Sequence, residues 1–145
     1  MKNVKSVNQY LANLAVWNIK LHNLHFNVEG HQFKAVHEFL EEIYDEAFEY
    51  YDAVAELMKQ QDEMPVVTMK EYLKLATMKE IEAKSFPIKE AVKILIDDLE
   101  LMTKEALAIR EEADEEDNFL LANMMEDHVE YYAKQLWFSK SYLKD

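Results

Sequence analysis

The chain has 145 residues and a net charge of −13, from 16 basic against 29 acidic side chains. Half of the residues are hydrophobic, but no apolar run approaches the ~18 residues of a membrane span. Without cysteine there are no disulfides, thiolate chemistry or sulfur ligands, and one glycine with two prolines leaves too few turn residues for a hairpin-rich β fold.

The composition therefore points to one nearly all-helical domain spanning residues 1–145, large enough to bury a core. The opening segment MKNVKSVNQY lacks the apolar stretch of a signal peptide, so the expected location is cytoplasmic. Arg110 is the only arginine, and the ends carry only Lys2, Lys5, Lys140 and Lys144. That is a poor footing for DNA. The acidic balance reads as plain solubility or as a means of gathering cations.

The first helix is expected from about Val4 to Val28, with Val7, Leu14 and Leu21 on one stripe and Tyr10, Trp17 and Leu24 beside it. Gly30 is expected to end it in a left-handed cap. A second helix runs from Phe33 or Lys34 to about Gln61, some 40 Å long. Its core face is Val36, Leu40, Ile43, Ala47, Tyr51, Val54 and Met58, and Pro65 is expected to stop it. Thr68 and Glu71 form a capping box that opens a short helix, Met69 to Leu75.

Pro87 suits the first turn of a third long helix carrying Ala91, Ile94, Leu95, Leu99, Met102, Ala106 and Ile109. The acidic stretch from Asp114 to Asp117 turns the chain, with Asp117 as N-cap. The last helix passes through Leu121, Met125, Tyr132, Leu136 and Trp137. Trp17 and Trp137 read as packing residues without chemistry. Two short links and one long one predict an all-α four-helix bundle whose crossover spans its full length, the ferritin-like arrangement.

No histidine has a glutamate three residues before it, so the paired Glu-x-x-His di-metal site of many bundles is not expected. The second helix instead carries His37, Glu41, Asp52 and Glu56, at about 0°, 40°, 60° and 100° around its axis. Glu38, Asp45 and Glu49 share that arc or its margin, so periodicity does not choose among them. Glu41 and Asp52 lie about 16 Å apart along the axis, too far for one ion with bonds of roughly 2 Å. If both halves of the stripe bind the same metal, two antiparallel copies of this helix must face each other across a two-fold axis. On spacing alone His25 reads first as a hydrogen-bonded core histidine, the acidic stripe as a solvated face, and His22 with His25 as a chance HxxH match.

The stretch LHNLHFNVEGHQFKAVHEFLEEIYDEAFEYYDAVAE, from Leu21 to Glu56, resembles the signature of the Dps family of twelve-subunit miniferritins. The match rests on His25–Phe26, Gly30, Phe33, His37–Glu38 and the Asp52 to Glu56 element. TMKEYL and KQLWF extend it over most of the chain. The resemblance implies intersubunit ferroxidase sites, with His25 and His37 from one subunit and Asp52 and Glu56 from its two-fold mate. Glu41 stands where the family often has aspartate and is implied to help hold a second iron. It further implies that hydrogen peroxide oxidises Fe(II) there and that ferric mineral collects inside a hollow homododecamer.

Several features depart from the family pattern. Phe26 replaces the usual tryptophan, Leu57 a common arginine, and QQDEMP a Gly-Gly turn. Asp114 to Asp117 lie near where the family lines its three-fold pores, but capping and solvation explain them equally well. The lysine-rich DNA-binding tail of some members is missing, and multiplying a charge of −13 twelvefold repels phosphate. The alternatives are an acidic helical assembly protein without ferroxidase activity and a nucleoid-compacting protein.

Overall fold

The computed structural model describes residues 1–144; Asp145, the last residue of the expected domain, lies outside them. Four long helices, α1 (Val4–Asn27), α2 (Phe33–Gln60), α4 (Ile88–Glu115) and α5 (Phe119–Tyr142), form the bundle. The short α3 (Met69–Leu75) sits in the crossover, and two-residue strands β1 (Val28–Glu29) and β2 (Phe86–Pro87) complete the element order. This is the expected ferritin-like all-α architecture. No helix among the described residues is long and apolar enough to cross a membrane.

The expected stripes are the core. Both rows of α1 are buried, as are Val36, Leu40, Ile43, Ala47, Val54 and Met58 of α2, and each large apolar side chain buried this way contributes roughly 1.5–3 kcal/mol. Tyr51 is only half-buried, because its hydroxyl turns to that of Tyr72 on α3. Ile94 and Leu136 are half-buried. Trp17 is fully buried and Trp137 is 65% exposed, so of the two only Trp17 belongs to the core of the chain.

The residues that end the helices differ from expectation. α2 ends at Gln60, where it was expected, but Pro65 lies five residues on and is not what stops it. Asp62 enters the left-handed region (φ 62°), and the amides of Asp62 and Glu63 donate back to the carbonyls of Lys59 and Met58. This two-bond arrangement closes a helix where glycine is usual, and aspartate tolerates it better than most side chains. Asp117 (φ 58°) does the same for α4, with Asp117 and Asn118 amides bonded to Asp114 and Ala113 carbonyls. Asp117 is thus the residue that ends α4, and Asn118 is the N-cap of α5, its side chain accepting from the Leu121 amide. The Thr68–Glu71 capping box is present as expected.

Gly30 is not a helix cap either. α1 ends at Asn27, and Val28 runs extended into β1, which pairs in parallel with β2 (Val28 with Phe86, Glu29 with Pro87). Gly30 has φ 145°, and a Cβ on it would sit 2.9 Å from Cδ1 of Ile88. A glycine is required here for conformation and for space. The pairing fastens the α1–α2 turn to the start of α4, which holds the ends of α1 and α2 in place.

The crossover is anchored by Asn13. Its Oδ1 accepts from the amides of Thr77 and Met78 at 2.8 and 2.9 Å, and its Nδ2 donates to Glu105 at 2.7 Å and to Thr77 Oγ1 at 2.9 Å. A fully buried amide therefore ties α1, the crossover and α4 together.

Candidate metal centre

His25 lies one turn before the end of α1 and His37 one turn into α2, so the Gly30 turn brings them side by side. His25 Nδ1–H donates to the His37 carbonyl at 2.7 Å, and His37 Nδ1–H donates to the His25 carbonyl at 2.7 Å. A carbonyl can only accept, so both imidazoles hold their proton on Nδ1 and present a bare Nε2 lone pair. The rings stack 3.7 Å apart at 14°, and Phe33 covers the outer face of His37 at 5.0 Å. Backbone carbonyls thus fix the tautomer and aim of both rings, the support that metal-binding histidines need.

Glu41 joins them from the next turn of α2, its Oε1 3.8 Å from His25 Nε2 and its side chain about half exposed (51%). Tyr44 stands edge-on to His25 at 5.1 Å. Desolvation, then Glu41 and Asp45, raises its phenol pKa. Asp52 and Glu56 are exposed, about three and four turns beyond Glu41 along α2. The structure therefore brings His25, His37 and Glu41 together and leaves Asp52 and Glu56 away from them. Among the described residues no three histidine or carboxylate side chains of one chain are close enough to hold a metal ion.

The other histidines lie apart from this centre. His22 donates from Nδ1 to the Asn18 carbonyl at 2.6 Å and stacks on Tyr44 at 3.7 Å. Its ring is 6.4 Å from that of His25 and nearly perpendicular to it, so the HxxH pair does not converge. His31 is exposed on the turn, and His128 is buried in the bundle. Asp114 and Asp117 serve the end of α4 through their backbone bonds.

Large apolar side chains are exposed among the charged ones on the helices that carry the half-site. Ile19 and Phe26 of α1 and Phe33 and Phe48 of α2 are all exposed, on the two helices that carry the site. Exposed large apolar groups beside polar ones mark surfaces that meet a partner. Sequence reasoning did not find the histidine–carbonyl clasp or Tyr44. Carbonyl partners leave no trace in residue type, and Tyr44 had only its place seven residues after His37 to mark it.

The ferritin-like domain family matches residues 4–145. The DNA protection during starvation protein of Helicobacter pylori is 30% identical over 143 residues, covering 99% of each chain. The crystal structure of a Dps protein from Bacillus brevis superposes with a TM-score of 0.93 at 30% identity, over 99% of this chain and 96% of that one. The Dps protein of Vibrio cholerae O1, a member of a broad superfamily of ferritin-like diiron-carboxylate proteins, gives 0.93 at 26% identity over 99% and 89%.

Proposed function

The chain belongs to the ferritin-like family and, within it, to the Dps proteins, and from that premise we propose an iron-oxidising, iron-storing miniferritin whose ferroxidase sites span two-fold subunit interfaces. Its setting is a cytoplasmic homododecamer that protects against oxidative stress. The observation that carries this is the half-site: two imidazoles tethered through Nδ1 with Nε2 facing outward, one carboxylate beside them, and Asp52 and Glu56 on the same helix about 16 and 22 Å beyond Glu41.

The register of α2 supports the pairing. In an antiparallel α2–α2 contact, setting Glu41 opposite Asp52 of the mate also sets His37 opposite Glu56. Both pairs are centred at one point, between Glu46 and Ala47. The exposed Phe48 lies next to that centre, where a two-fold contact needs apolar area. Each dimer then carries two equivalent sites, with His25, His37 and Glu41 from one protomer and Asp52 and Glu56 from the other.

Fe(II) is the substrate. Two histidines with carboxylates and open positions suit it, because the oxidant needs room to reach the metal. Hydrogen peroxide accepts two electrons, one from each of two Fe(II). With two protons it leaves as two waters, and no hydroxyl radical is released. The ferric product is stored as mineral within the shell. The protein's part is to hold the two ions together, keep the Nδ1 protons on the backbone so that both Nε2 atoms face the metal, and offset the charge with Glu41, Asp52 and Glu56.

The test is to load the assembled protein anaerobically with Fe(II), add hydrogen peroxide, and follow size exclusion with light scattering and an iron readout. Iron co-eluting with a particle of twelve 17.2 kDa chains, about 206 kDa, is the expected result. A particle of that size that retains no iron contradicts the ferroxidase reading, and a 17.2 kDa species contradicts the interface site.

A further inference from the structure

The middle of the bundle holds a polar aromatic cluster that includes none of the proposed iron ligands. The hydroxyls of Tyr10 (α1) and Tyr132 (α5), both fully buried, are 2.5 Å apart. Tyr10 Oη is 2.8 Å from His128 Nδ1. Tyr50 of α2 lies face to face on His128, 3.6 Å between centroids at 10°, and Tyr131 stands edge-on to Tyr50 at 5.8 Å. Tyr50 and Tyr131 are half-buried, so the cluster runs from the surface to the centre of the core.

The protons can be placed by elimination. If His128 Nδ1–H donated to Tyr10, one of the two hydroxyl hydrogens would be left without an acceptor in a dry core, at a cost of roughly 1–3 kcal/mol. When Tyr132 donates to Tyr10 and Tyr10 donates to His128 Nδ1, both hydrogens are used. Burial lowers the His128 pKa to about 3, so the imidazole is neutral at physiological pH and Nδ1 is free to accept.

We propose that Tyr10 is a redox-active tyrosine that quenches one-electron oxygen radicals, with Tyr131 and Tyr50 as the entry route and His128 as the base that takes its proton. The oxidant is a hydroxyl-type radical of the kind formed when peroxide meets stray Fe(II). Its source rests on the iron reading above, whereas the relay itself does not. The radical takes one electron at the surface and becomes hydroxide, which a solvent proton converts to water. The electron vacancy passes inward, and Tyr10 gives up one electron as its Oη–H bond breaks and the proton moves to His128 Nδ1. What remains is a neutral tyrosyl radical, accepting the Tyr132 hydrogen bond, beside an imidazolium. One electron from Fe(II) or a small thiol or ascorbate-like reductant, with the proton handed back by His128, restores the starting state.

The base is what singles out Tyr10. An oxidised phenol is a far stronger acid than even a buried imidazolium, so a nitrogen in contact takes its proton, whereas a phenol without such a base must keep the charge on its own ring, which is costly in a low-dielectric core. Tyr51 and Tyr72 also pair through their hydroxyls, but that chain ends on the Val66 carbonyl, which cannot take a proton. Tyr50 and Tyr131 have no hydrogen-bonded base among the described residues. Only Tyr10 combines full burial, which shields a radical from side reactions, with a proton acceptor in contact.

The test uses the iron-free assembled protein, so it fails or succeeds separately from the ferroxidase reading. Azide radicals made by pulse radiolysis supply the one-electron oxidant. Optical and EPR detection follow the neutral tyrosyl radical, with 3-fluorotyrosine at position 10 to mark its hyperfine pattern. The expected result is a long-lived tyrosyl signal that changes pattern with the label. Its yield should fall roughly tenfold or more in Tyr10→Phe and in His128→Leu, the factor a charge-assisted hydrogen bond is worth, and stay unchanged in Tyr51→Phe. Thermal melts and light scattering identify any variant that fails to assemble, and the labelled, otherwise unaltered protein then decides the matter alone. A signal insensitive to the label, or undiminished in well-assembled Tyr10→Phe, overturns the proposal.

Discussion

His25 and His37 hold each other by their backbones: each imidazole donates from Nδ1 to the other's carbonyl at the same 2.7 Å. The clasp joins the end of α1 to the start of α2 and fixes two Nε2 lone pairs in one operation. Replacing His37 by glutamine removes both a ligand atom and half of the clasp. We expect Fe(II) oxidation to fall roughly 10- to 100-fold, measured by stopped-flow absorbance of the ferric product. An unchanged rate would remove His37 from the site.

The clasp depends on the turn between the helices. Gly30 has a backbone conformation that side chains rarely adopt, and Ile88 fills the space a Cβ would need. Gly30→Ala should cost about 1–3 kcal/mol and lower the thermal midpoint by several degrees, with iron oxidation impaired because the two histidines no longer meet squarely. A melting curve that superposes on the wild type would show that the turn adapts.

Asn13 carries a comparable burden midway along α1. Asn13→Ala leaves the Thr77 and Met78 amides without their acceptor and reduces Glu105 to its bond from Thr77 Oγ1. Each buried group left unsatisfied costs roughly 1–3 kcal/mol. Hydrogen exchange should show the segment around residues 76–78 opening well below the global unfolding limit. Protection equal to the wild type there would contradict the anchoring role.

Lys20 and Asp98 form a buried ion pair at 2.9 Å, with side chains 6% and 8% exposed. Asp98 Oδ2 has no partner. Burial, opposed by Lys20, raises the Asp98 carboxyl to about 6 from its ordinary 3.8. A carboxyl whose pKa rises on folding binds its proton more readily in the folded chain. Its contribution is therefore fully present below 3.8 and is lost as pH rises through about 6. Relative to a Lys20→Met, Asp98→Leu variant, the wild type should lose on the order of 2–3 kcal/mol across that window. Urea midpoints at constant protein concentration measure the difference, and a flat or opposite trend would refute it. At neutral pH the double variant should match or exceed the wild type, while either single change costs about 3–5 kcal/mol.

What was legible in the sequence follows from what periodicity can carry. The four long helices and the core rows of Val7, Val36 and Leu95 repeat often enough to be read directly, and the long crossover dictated the bundle's connectivity. The helix ends were read to within about a residue, but what terminates them was misassigned, because the visible punctuation, Gly30, Pro65 and Asp117, pointed to its usual roles. The chain instead ends α2 and α4 with aspartates in left-handed backbone and spends its one glycine on a tight approach to Ile88. At the metal centre, the incompatibility of Glu41 and Asp52 within one chain could be read from helix rise alone. The ligand set came from the resemblance, and the histidine–carbonyl clasp had no sequence signal at all.

The most direct test of the central claim is subunit complementation. One protein carries His25→Ala and His37→Ala, the other Asp52→Ala and Glu56→Ala, and each alone should oxidise Fe(II) at background rates. If every site draws histidines from one protomer and carboxylates from its two-fold mate, a mixed dimer contains one intact site and one doubly damaged site. Random co-assembly of equal amounts should then restore about a quarter of the wild-type sites. Recovery near that value is the result expected here. Co-assembled particles that stay at background would contradict a site shared between subunits.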